Sequence, residues 1–497
     1  MRLLILLCIA FLSCQKQPNK SVLSGQLDDL KSKYLILNKS GDRYGYQEIL
    51  AGIDTLEIAG DGKFRFEFDV EVPGFFQLTD DKGYAQTLDL YFRPGDSLNI
   101  VRQKVNNQFI HSYQGSLGGA YRYFAYHDSL RQNDPLFAYY SRDMYYWPED
   151  SVKSVLKSQM QREIQVIDTL FGDQPEWKPV RQYASDQRHY ENFEQYFRYL
   201  YYHNYYSNDT FLYLTADPSY YDFMQEVDLT YYPEQYQWQY NSFISRYVDD
   251  QVERRHKDLS DSLRWKQNLS LRFNVIKDDF SGKARDAALI GLSDEFSHSL
   301  EHDDFFQTLD IIENYLAETR TDESFLVKFR RIADTYKALE KGNTAPDIAL
   351  PDINGDTIRL SDLKGKVLYV DFWGTWCFPC LQEMPHSLTL QEKFKDKNVE
   401  FVYIGLEGGE DQVKEWKEFI SGQVSFDYAP FLEQRVYPGV HMLCEGQFGN
   451  PQIQAYQISA APTYMLIDAE GKIARARAPR PSDKEIEALL NEMLTKG

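Results

Sequence analysis

The spacing of apolar residues takes three forms along the chain. From Phe64 to Val72, Phe and Val alternate with charged residues, and this period of two predicts a strand with one buried face. In 152–171 and 325–339, apolar residues recur every three or four positions, which predicts amphipathic helices. After about Gly342, short apolar runs alternate with helical segments, an order typical of α/β folds. The pattern therefore predicts a multidomain protein.

These changes of pattern predict five segments. They are a leader (1–13), a polar tether (14–21), a small antiparallel β domain (22–110), a mostly α-helical domain (111–341) and an α/β domain (342–497). In the last segment the expected strands are 367–372, 399–405, 463–468 and 472–477, and the expected helices begin at Cys377, near Gln412 and at Ser482. Ser482 and Glu485 have the spacing of a capping box, and Gly342 would end the helix before it.

Tyrosine is concentrated in the helical domain. Of the 37 tyrosines, 24 lie between Tyr113 and Tyr247. Because Tyr combines a large apolar ring with a polar tip, such a region can pack helices together or present a binding surface. The sequence leaves both interpretations open.

The N-terminus has the features of an export signal. Arg2 is followed by ten apolar residues, Leu3 to Leu12, which is too short for a membrane span of ~20 residues. The next residues, Ser13 and Cys14, resemble the end of a bacterial lipoprotein signal. That resemblance implies cleavage before Cys14 and a diacylglycerol on its thiol; the alternative is an ordinary cleaved signal. Either way we expect an exported protein, and the lipid would hold it at a membrane facing the periplasm.

Charge and cysteine number narrow the function classes. The net charge of -21 argues against nucleic acid as a partner. The mature chain keeps Cys377, Cys380 and Cys444, and the close pair with a distant third residue is typical of a redox dithiol. The count excludes a four-cysteine zinc site, and Leu381 stands where covalent haem attachment needs His. Cys444 and His441 lack further ligands at useful spacing, so we expect an inert thiol and no metal.

The close cysteine pair lies where a predicted buried strand passes into a helix. A thiol at a helix N-terminus faces unpaired N–H groups and the positive end of the helix dipole, which favour the thiolate. We therefore expect Cys377 to be the nucleophile. Cys380, one turn further along, would attack the mixed disulfide from within. Pro379 costs little there, because a first-turn N–H has no partner within the helix.

These residues carry a family resemblance that covers about 342–497. The segment Trp376-Cys377-Phe378-Pro379-Cys380 continues to Glu383 and Pro385, and Ala461-Pro462-Thr463 precedes an apolar strand. The lead-in segments 345–347 and 360–366 also match. Together they resemble the thioredoxin fold, and within it the TlpA/ResA-like group of membrane-anchored extracytoplasmic thiol:disulfide oxidoreductases.

The resemblance implies a central mixed sheet flanked by helices and a site without a cofactor. It implies that Asp371 is a buried carboxylate that accepts the Cys380 proton and that Glu383 tunes the same proton; the alternative for Glu383 is a solvated carboxylate. Pro462 would be cis and would set the backbone of Ala461 to pair with a substrate strand. Trp376, Phe378 and Pro379 would border the bound client.

Three functions remain after this reading. The first is a reductase of disulfide-bearing client proteins, recharged by a membrane electron donor, as in the family members of cytochrome c biogenesis. The second is a disulfide oxidase or isomerase, and the third is a client-binding protein that uses the Tyr-rich helices. A thiol peroxidase is excluded, because Val370 and Gly374 stand where its P-x-x-x-T-x-x-C motif needs Pro and Thr.

Overall fold

A computed structural model gives the structure of the protein in two compact units, 1–255 and 256–497. The residues it describes are 20–28, 34–38, 53–80, 88–105, 108–116, 121, 123, 142–207, 216–233, 238–260, 263–264, 267–302, 304–319, 321–423, 431–432 and 436–496. The predicted leader, Cys14 and all but the last two residues of the tether lie outside these ranges.

In the described part of the first unit, eight strands form two four-stranded sheets. They are β1 (Ser21–Leu27), β2 (Tyr34–Asn38), β3 (Ile53–Glu57), β4 (Lys63–Phe68), β5 (Gly74–Asp80), β6 (Leu88–Phe92), β7 (Ser97–Val105) and β8 (Gln108–Gly115). One sheet has the order β3-β2-β5-β6 and is antiparallel throughout. The other has the order β4-β1-β7-β8, and β1 runs parallel to β7. The prediction of an antiparallel domain is therefore wrong for this pair, because β1 and β7 meet through a long connection and not through a hairpin.

The alternating segment of the sequence forms β4. Phe64 and Phe68 are buried and the charged residues between them are exposed, as the period of two predicts. The strand ends at Phe68, however, and Val72 is 72% exposed. The alternating sequence therefore continues four residues beyond the end of the strand.

Sheets and helices of the first unit share one core. The α-helices whose bounds the structure describes in this unit are α1 (Glu149–Phe171), α2 (Lys178–Ser207) and α3 (Trp238–Arg255). Phe75 of β5 stacks on Tyr183 of α2 with 3.7 Å between ring centroids, and Ile167 and Phe171 of α1 join the same cluster. Strand β8 continues to Gly115, beyond the predicted boundary at 110/111.

Most of the described tyrosines of this unit pack helices together. Tyr190 and Tyr196 of α2 are buried against Tyr240 and Phe223. Exposed tyrosines near the end of α2 include Tyr146, Tyr201 and Tyr205, whereas exposed Tyr34 lies on β2. Packing thus accounts for the buried tyrosines, and a smaller aromatic surface remains.

Helices come first in the second unit. They are α4 (Asn268–Asp279), α5 (Gly282–Gly291), α6 (Phe296–Ser299), α7 (Phe305–Glu318) and α8 (Glu323–Lys337). Helix α8 ends at Lys337, so Gly342 is not its cap. Gly342 instead lies in the left-handed region (φ 93°), and its N–H donates to the carbonyl oxygen of Ile473.

An α/β fold completes this unit. Its elements are β9 (Ala349–Pro351), β10 (Thr357–Arg359), β11 (Val367–Trp373), α9 (Phe378–Phe394), β12 (Val399–Glu407), α10 (Glu410–Ile420), β13 (Val440–Glu445), α11 (Pro451–Gln454), β14 (Thr463–Ile467), β15 (Ile473–Arg475) and α12 (Lys484–Lys496). Strands β9 and β10 form a separate hairpin. The other five form a sheet in the order β13-β12-β11-β14-β15, with β11, β12 and β13 parallel and β14 and β15 antiparallel to their neighbours. This thioredoxin-like arrangement confirms the predicted mixed sheet.

The helices of this unit contact the α/β fold near its β15 end. Arg477, just after β15, is half-buried, and Glu301 and Tyr336 of α8 act electrostatically on its guanidinium. Ser459 Oγ donates to Ser297 Oγ of α6 at 3.4 Å. Among the described residues, no helix has the length and apolar character needed to cross a membrane.

Candidate active site

Cys377 and Cys380 form a disulfide where β11 passes into α9. The strand consists of seven buried residues, and its last, Trp373, leads into a short turn closed by the Cys377 N–H on the Gly374 carbonyl oxygen (3.1 Å). Cys377 is the N-cap of α9, and its Sγ accepts from the Cys380 N–H at 3.2 Å. The predicted helix start is therefore confirmed.

The two sulfurs lie below an exposed rim. Cys377 is 3% and Cys380 1% exposed, whereas Trp376 and Phe378 are 39% and 43% exposed and Pro379 is also exposed. A client sulfur approaching Cys377 would meet these three side chains. The structure thus brings together the residues that the sequence proposed as the border of a client site.

Two aromatic residues that the sequence reading missed extend this rim. Phe448 packs edge-on against Trp376, with ring centroids 5.9 Å apart, and Phe431 packs in the same way against Phe378 at 6.0 Å. Both come from the connection between β12 and β14, which is far from the motif in sequence. No sequence signal indicated them, because the same segment contains other aromatic residues, such as Trp416 and Phe419, that do not border the cysteines.

Asp371 lies in the buried strand that leads to the cysteines. Its side chain is buried, and Oδ1 makes no hydrogen bond within the described part of the chain. Burial and, after it, the charge of Glu383 raise the pKa of Asp371 well above its usual range. Tyr464 stands opposite Asp371 on β14, so the carboxyl group lies beside an aromatic side chain. The predicted buried carboxylate is present.

Glu383, one turn into α9, is buried and not solvated. Its carboxylate accepts from the Ser482 N–H at 3.0 Å and from the Ser482 hydroxyl at 2.9 Å. The predicted capping box of Ser482 with Glu485 is therefore wrong, because the Ser482 side chain is committed to Glu383 and the last helix begins at Lys484. Two acids, Asp371 and Glu383, thus share the buried region of the cysteines.

The Ala461–Pro462 peptide bond is cis, as the resemblance implies. Thr463, the next residue, begins β14 and pairs with Phe372 of β11. Ala461 is half-buried and packs against the same cluster of residues as both cysteines. The sheet therefore brings the loop of Ala461 and Pro462 to the edge where the cysteine motif lies.

Cys444 and His441 do not meet as ligands. They are three residues apart on β13, so their side chains point to opposite faces of the sheet. His441 stacks on Tyr403, and burial raises the pKa of the Cys444 thiol to about 12. In the part of the chain that the structure describes, no cluster of three or more His, Cys, Asp or Glu could hold a metal ion.

Comparison with known proteins places the similarity in this region. The AhpC/TSA family matches residues 341–476. Thiol-disulfide oxidoreductase ResA of Bacillus subtilis (strain 168) is 31% identical over 155 residues, which are 31% of this chain and 76% of ResA. The ResA of Bacillus anthracis is 30% identical over 161 residues, 32% of this chain and 82% of that relative.

Solved structures match the same part of the chain. A thiol:disulfide interchange protein from Bacteroides sp. is 26% identical, covers 32% of this chain and 92% of its own, and superposes with a TM-score of 0.26. The thioredoxin domain of a thiol-disulfide oxidoreductase from Bacteroides vulgatus is 24% identical over 31% of this chain and 99% of its own, with a TM-score of 0.26.

Proposed function

Since this chain belongs to the ResA-like thiol-disulfide oxidoreductases of the thioredoxin superfamily, we propose that it reduces disulfide bonds of client proteins through Cys377 and Cys380. The observation that supports this most directly is Cys377 at the N-cap of α9, joined to Cys380 and surrounded by exposed Trp376, Phe378 and Pro379. The helix N-terminus stabilises a thiolate at Cys377, which is the form that attacks a disulfide.

The reaction starts from the reduced dithiol. The Cys377 thiolate attacks one sulfur of the client disulfide, forms a mixed disulfide and releases the other client sulfur as a thiolate, which takes a proton. Cys380 then loses its proton to Asp371 and attacks Cys377 Sγ, which releases the second client thiolate and leaves the Cys377–Cys380 disulfide. Two electrons pass from the enzyme dithiol to the client. The oxidised site has the disulfide seen here.

The remaining parts of the proposal concern location and recharging. We propose that the signal 1–13 is removed, that Cys14 carries a lipid, and that the protein faces the periplasm. There a thiol-reducing donor in the membrane would return two electrons to the disulfide. The signal and Cys14 lie outside the described part of the chain, and the pattern of the sequence is what supports their proposed processing.

Single cysteine variants test the proposed roles. We expect Cys377→Ser to abolish reduction of a disulfide-bearing protein, and Cys380→Ser to accumulate mixed disulfides through Cys377, because the resolving thiol is missing. Non-reducing gels with mass spectrometry identify the bridging cysteine. Cys444→Ala is the matched control and should keep activity. Equal trapping by both variants would contradict the role assignment.

The direction of electron flow needs a separate measurement. A difference of ~30 mV in reduction potential changes the balance by ~1.4 kcal/mol, so reductase and oxidase differ by modest energies. Equilibration of the protein with glutathione buffers gives the potential. A potential more reducing than the client disulfides supports the reductase, and a more oxidising one supports the oxidase or isomerase.

A further inference from the structure

The end of β12 is hydrogen-bonded to the turn that carries Cys377. The Thr375 N–H donates to Glu407 Oε1 at 2.9 Å, and the Thr375 hydroxyl donates to Glu407 Oε2 at 3.0 Å. The Trp376 indole N–H donates to the carbonyl oxygen of Leu406 at 2.7 Å. Thr375 and Glu407 are both 0% exposed. A buried carboxylate is thus used to hold a turn of the redox motif.

Burial of a carboxylate is costly, so its location calls for an explanation. The other residues from Phe401 to Leu406 in β12 are apolar or aromatic except Gly405, and Glu407 is the last residue of the strand. Neither Glu407 nor Thr375 is one of the residues indicated by the family motif. The two hydrogen bonds that Thr375 donates to the Glu407 carboxylate compensate for the cost of burying it.

Fixing Thr375 also fixes Cys377. The Cys377 N–H donates to the Gly374 carbonyl oxygen, so Gly374 to Cys377 is one closed turn with Thr375 inside it. We infer that Glu407 is a positioning residue of the redox site, which holds this turn against the end of β12 and so keeps Cys377 at the first turn of α9. The inference rests on the proposed role of Cys377 as the nucleophile.

The charge of Glu407 adds a second effect to its position. Burial raises the pKa of Glu407 to about 7, the charge of Glu415 on α10 acts in the same direction, and the hydrogen bonds from Thr375 oppose both. Glu445 of β13 stands opposite Glu407 in the sheet and is a further acid on that side. Near neutral pH the carboxyl group therefore changes charge beside the turn that carries the nucleophile.

Protonation need not release the turn. A neutral carboxyl group still accepts from the Thr375 N–H with one oxygen, and its own O–H can donate to the Thr375 hydroxyl oxygen. Glutamine offers the same arrangement through its carbonyl oxygen and NH₂ group. Glu407→Gln therefore keeps the position and removes the charge, whereas Glu407→Ala removes both. Comparing the two variants separates the effects.

The test measures the reactivity of Cys377 in the reduced full-length protein. Iodoacetamide labelling is followed from about pH 5 to 9, and mass spectrometry of the peptide that contains Cys377 assigns the label. Wild type should show two coupled steps, because Cys377 and Glu407 influence each other's titration. Glu407→Gln should show one step with its midpoint at lower pH, because a negative charge that disfavours the thiolate is gone.

The labelling midpoint of Glu407→Ala should be higher than that of Glu407→Gln and approach the ordinary thiol value of ~8.5. At pH 7, Cys377 of Glu407→Ala should be labelled about tenfold more slowly than in Glu407→Gln, because the turn loses buried hydrogen bonds. Thr375→Val lacks only the hydroxyl, and its labelling midpoint should be between those of wild type and Glu407→Ala. Glu410→Gln makes the same charge change at an exposed residue and serves as the control. It should keep the wild-type profile.

Identical profiles for Glu407→Gln and Glu407→Ala would overturn the positioning role. If Glu407→Ala does not fold, the positioning role is overturned when both Thr375→Val and Glu407→Gln show the labelling profile of the wild type. Labelling needs no client, so a protein that fails to reduce disulfides would contradict the proposed function without deciding the role of Glu407.

Discussion

Asp371 and Glu383 are buried near each other but are held differently. Ser482 donates two hydrogen bonds to Glu383, whereas Asp371 Oδ1 receives none from the described residues. Hydrogen bonds stabilise a carboxylate, and burial without them favours the neutral acid. Asp371 therefore keeps its proton at a pH where an ordinary Asp has lost it. A group with such a raised pKa is suited to exchange a proton with a thiol.

The raised pKa of Asp371 predicts how stability depends on pH. Its folded pKa lies above the unfolded value of ~3.9, so its contribution is fully present below that value and is lost as the pH rises through the folded pKa. Asp371→Asn removes this loss, and we expect a higher free energy of unfolding than wild type at about pH 8, with the gain shrinking towards about pH 4. Urea unfolding at several pH values measures it.

The same substitution should slow catalysis. Without a proton acceptor for Cys380, we expect release of the client from the mixed disulfide to slow by ~10²-fold, the lower range for general base catalysis. Stopped-flow decay of the mixed disulfide measures this step. Asp396→Asn, at an exposed site, is the matched control for both experiments. An unchanged rate with a changed stability would leave Asp371 a structural residue only.

Among single residues, the sequence indicated those that belong to the local motif. Asp371 is expected to be buried because it matches a position of the family resemblance, and the cysteines are indicated because a predicted strand passes into a helix there. Ser482 was misread, because its partner Glu383 lies 99 residues earlier, whereas a nearby acid in the last helix has the spacing of a capping box. Glu407 was missed, because its role depends on Thr375, which follows a different strand of the sheet.

At the scale of elements, one half-buried cation, Arg477, is hydrogen-bonded to the segment between α11 and β14. The guanidinium of Arg477 donates to the carbonyl oxygens of Gln457 at 2.7 Å and Ala476 at 2.9 Å. Burial lowers the pKa of Arg477 to about 10. Gln457 has a positive φ of 52° and begins the loop that reaches Pro462. Arg477 therefore holds the start of the loop that borders the redox site.

Replacing Arg477 should destabilise this loop and the fold. Arg477→Met leaves the carbonyl oxygen of half-buried Gln457 without its donor, and we expect a loss of about 1 kcal/mol in the free energy of unfolding. Arg477→Lys should recover only part of it, because one ammonium group cannot reproduce the planar fork. Chemical denaturation measures both. Arg475→Met, on an exposed side chain two residues earlier, is the control; an equal loss there would contradict a specific role of Arg477.

Elements with a strong local signal were predicted well. Strands β11, β12 and β14 are dominated by apolar residues, as expected of strands buried on both faces, and their predicted bounds differ from the structure by at most two residues. The parallel pairing of β1 with β7 was not predicted, because no local pattern records which distant strand becomes a neighbour. The hairpin β9–β10 has three residues in each strand, too few for a period to show.

At the scale of the whole molecule, periodicity and packing divide the chain at different residues. The pattern of apolar residues changes near 341/342, yet the two compact units meet at 255/256, so α4 to α8 belong with the redox fold. Periodicity reports local structure, whereas a unit is defined by which elements bury each other's apolar faces. A fragment for experiments should therefore begin at His256, since a fragment from Gly342 would lack Ser297, the hydrogen-bond partner of Ser459, and Tyr336, which acts electrostatically on Arg477.

The last prediction concerns the membrane anchor, because it decides which clients the enzyme can reach. If Cys14 carries the lipid, Cys14→Ala should release the protein from the membrane or leave it held by an uncleaved signal. Two or more acyl chains, at ~0.8 kcal/mol for each buried CH₂, would then hold the wild type at the membrane. Cell fractionation and mass spectrometry of the N-terminal peptide measure this. The purified variant should reduce disulfides as fast as the wild type, because Cys14 lies far along the chain from the unit 256–497 that contains the two redox cysteines.

Cys8→Ala is the matched control for this experiment. Cys8 lies within the apolar part of the leader, so its loss should change neither processing nor anchoring. An unmodified Cys14 on the mature wild-type protein would contradict the lipid anchor. That result would leave the dithiol chemistry intact, because Cys377 and Cys380 lie in the other unit of the chain. Loss of reduction in cells by Cys14→Ala, with full activity in vitro, would instead show that reduction of clients requires the enzyme to be held at the membrane.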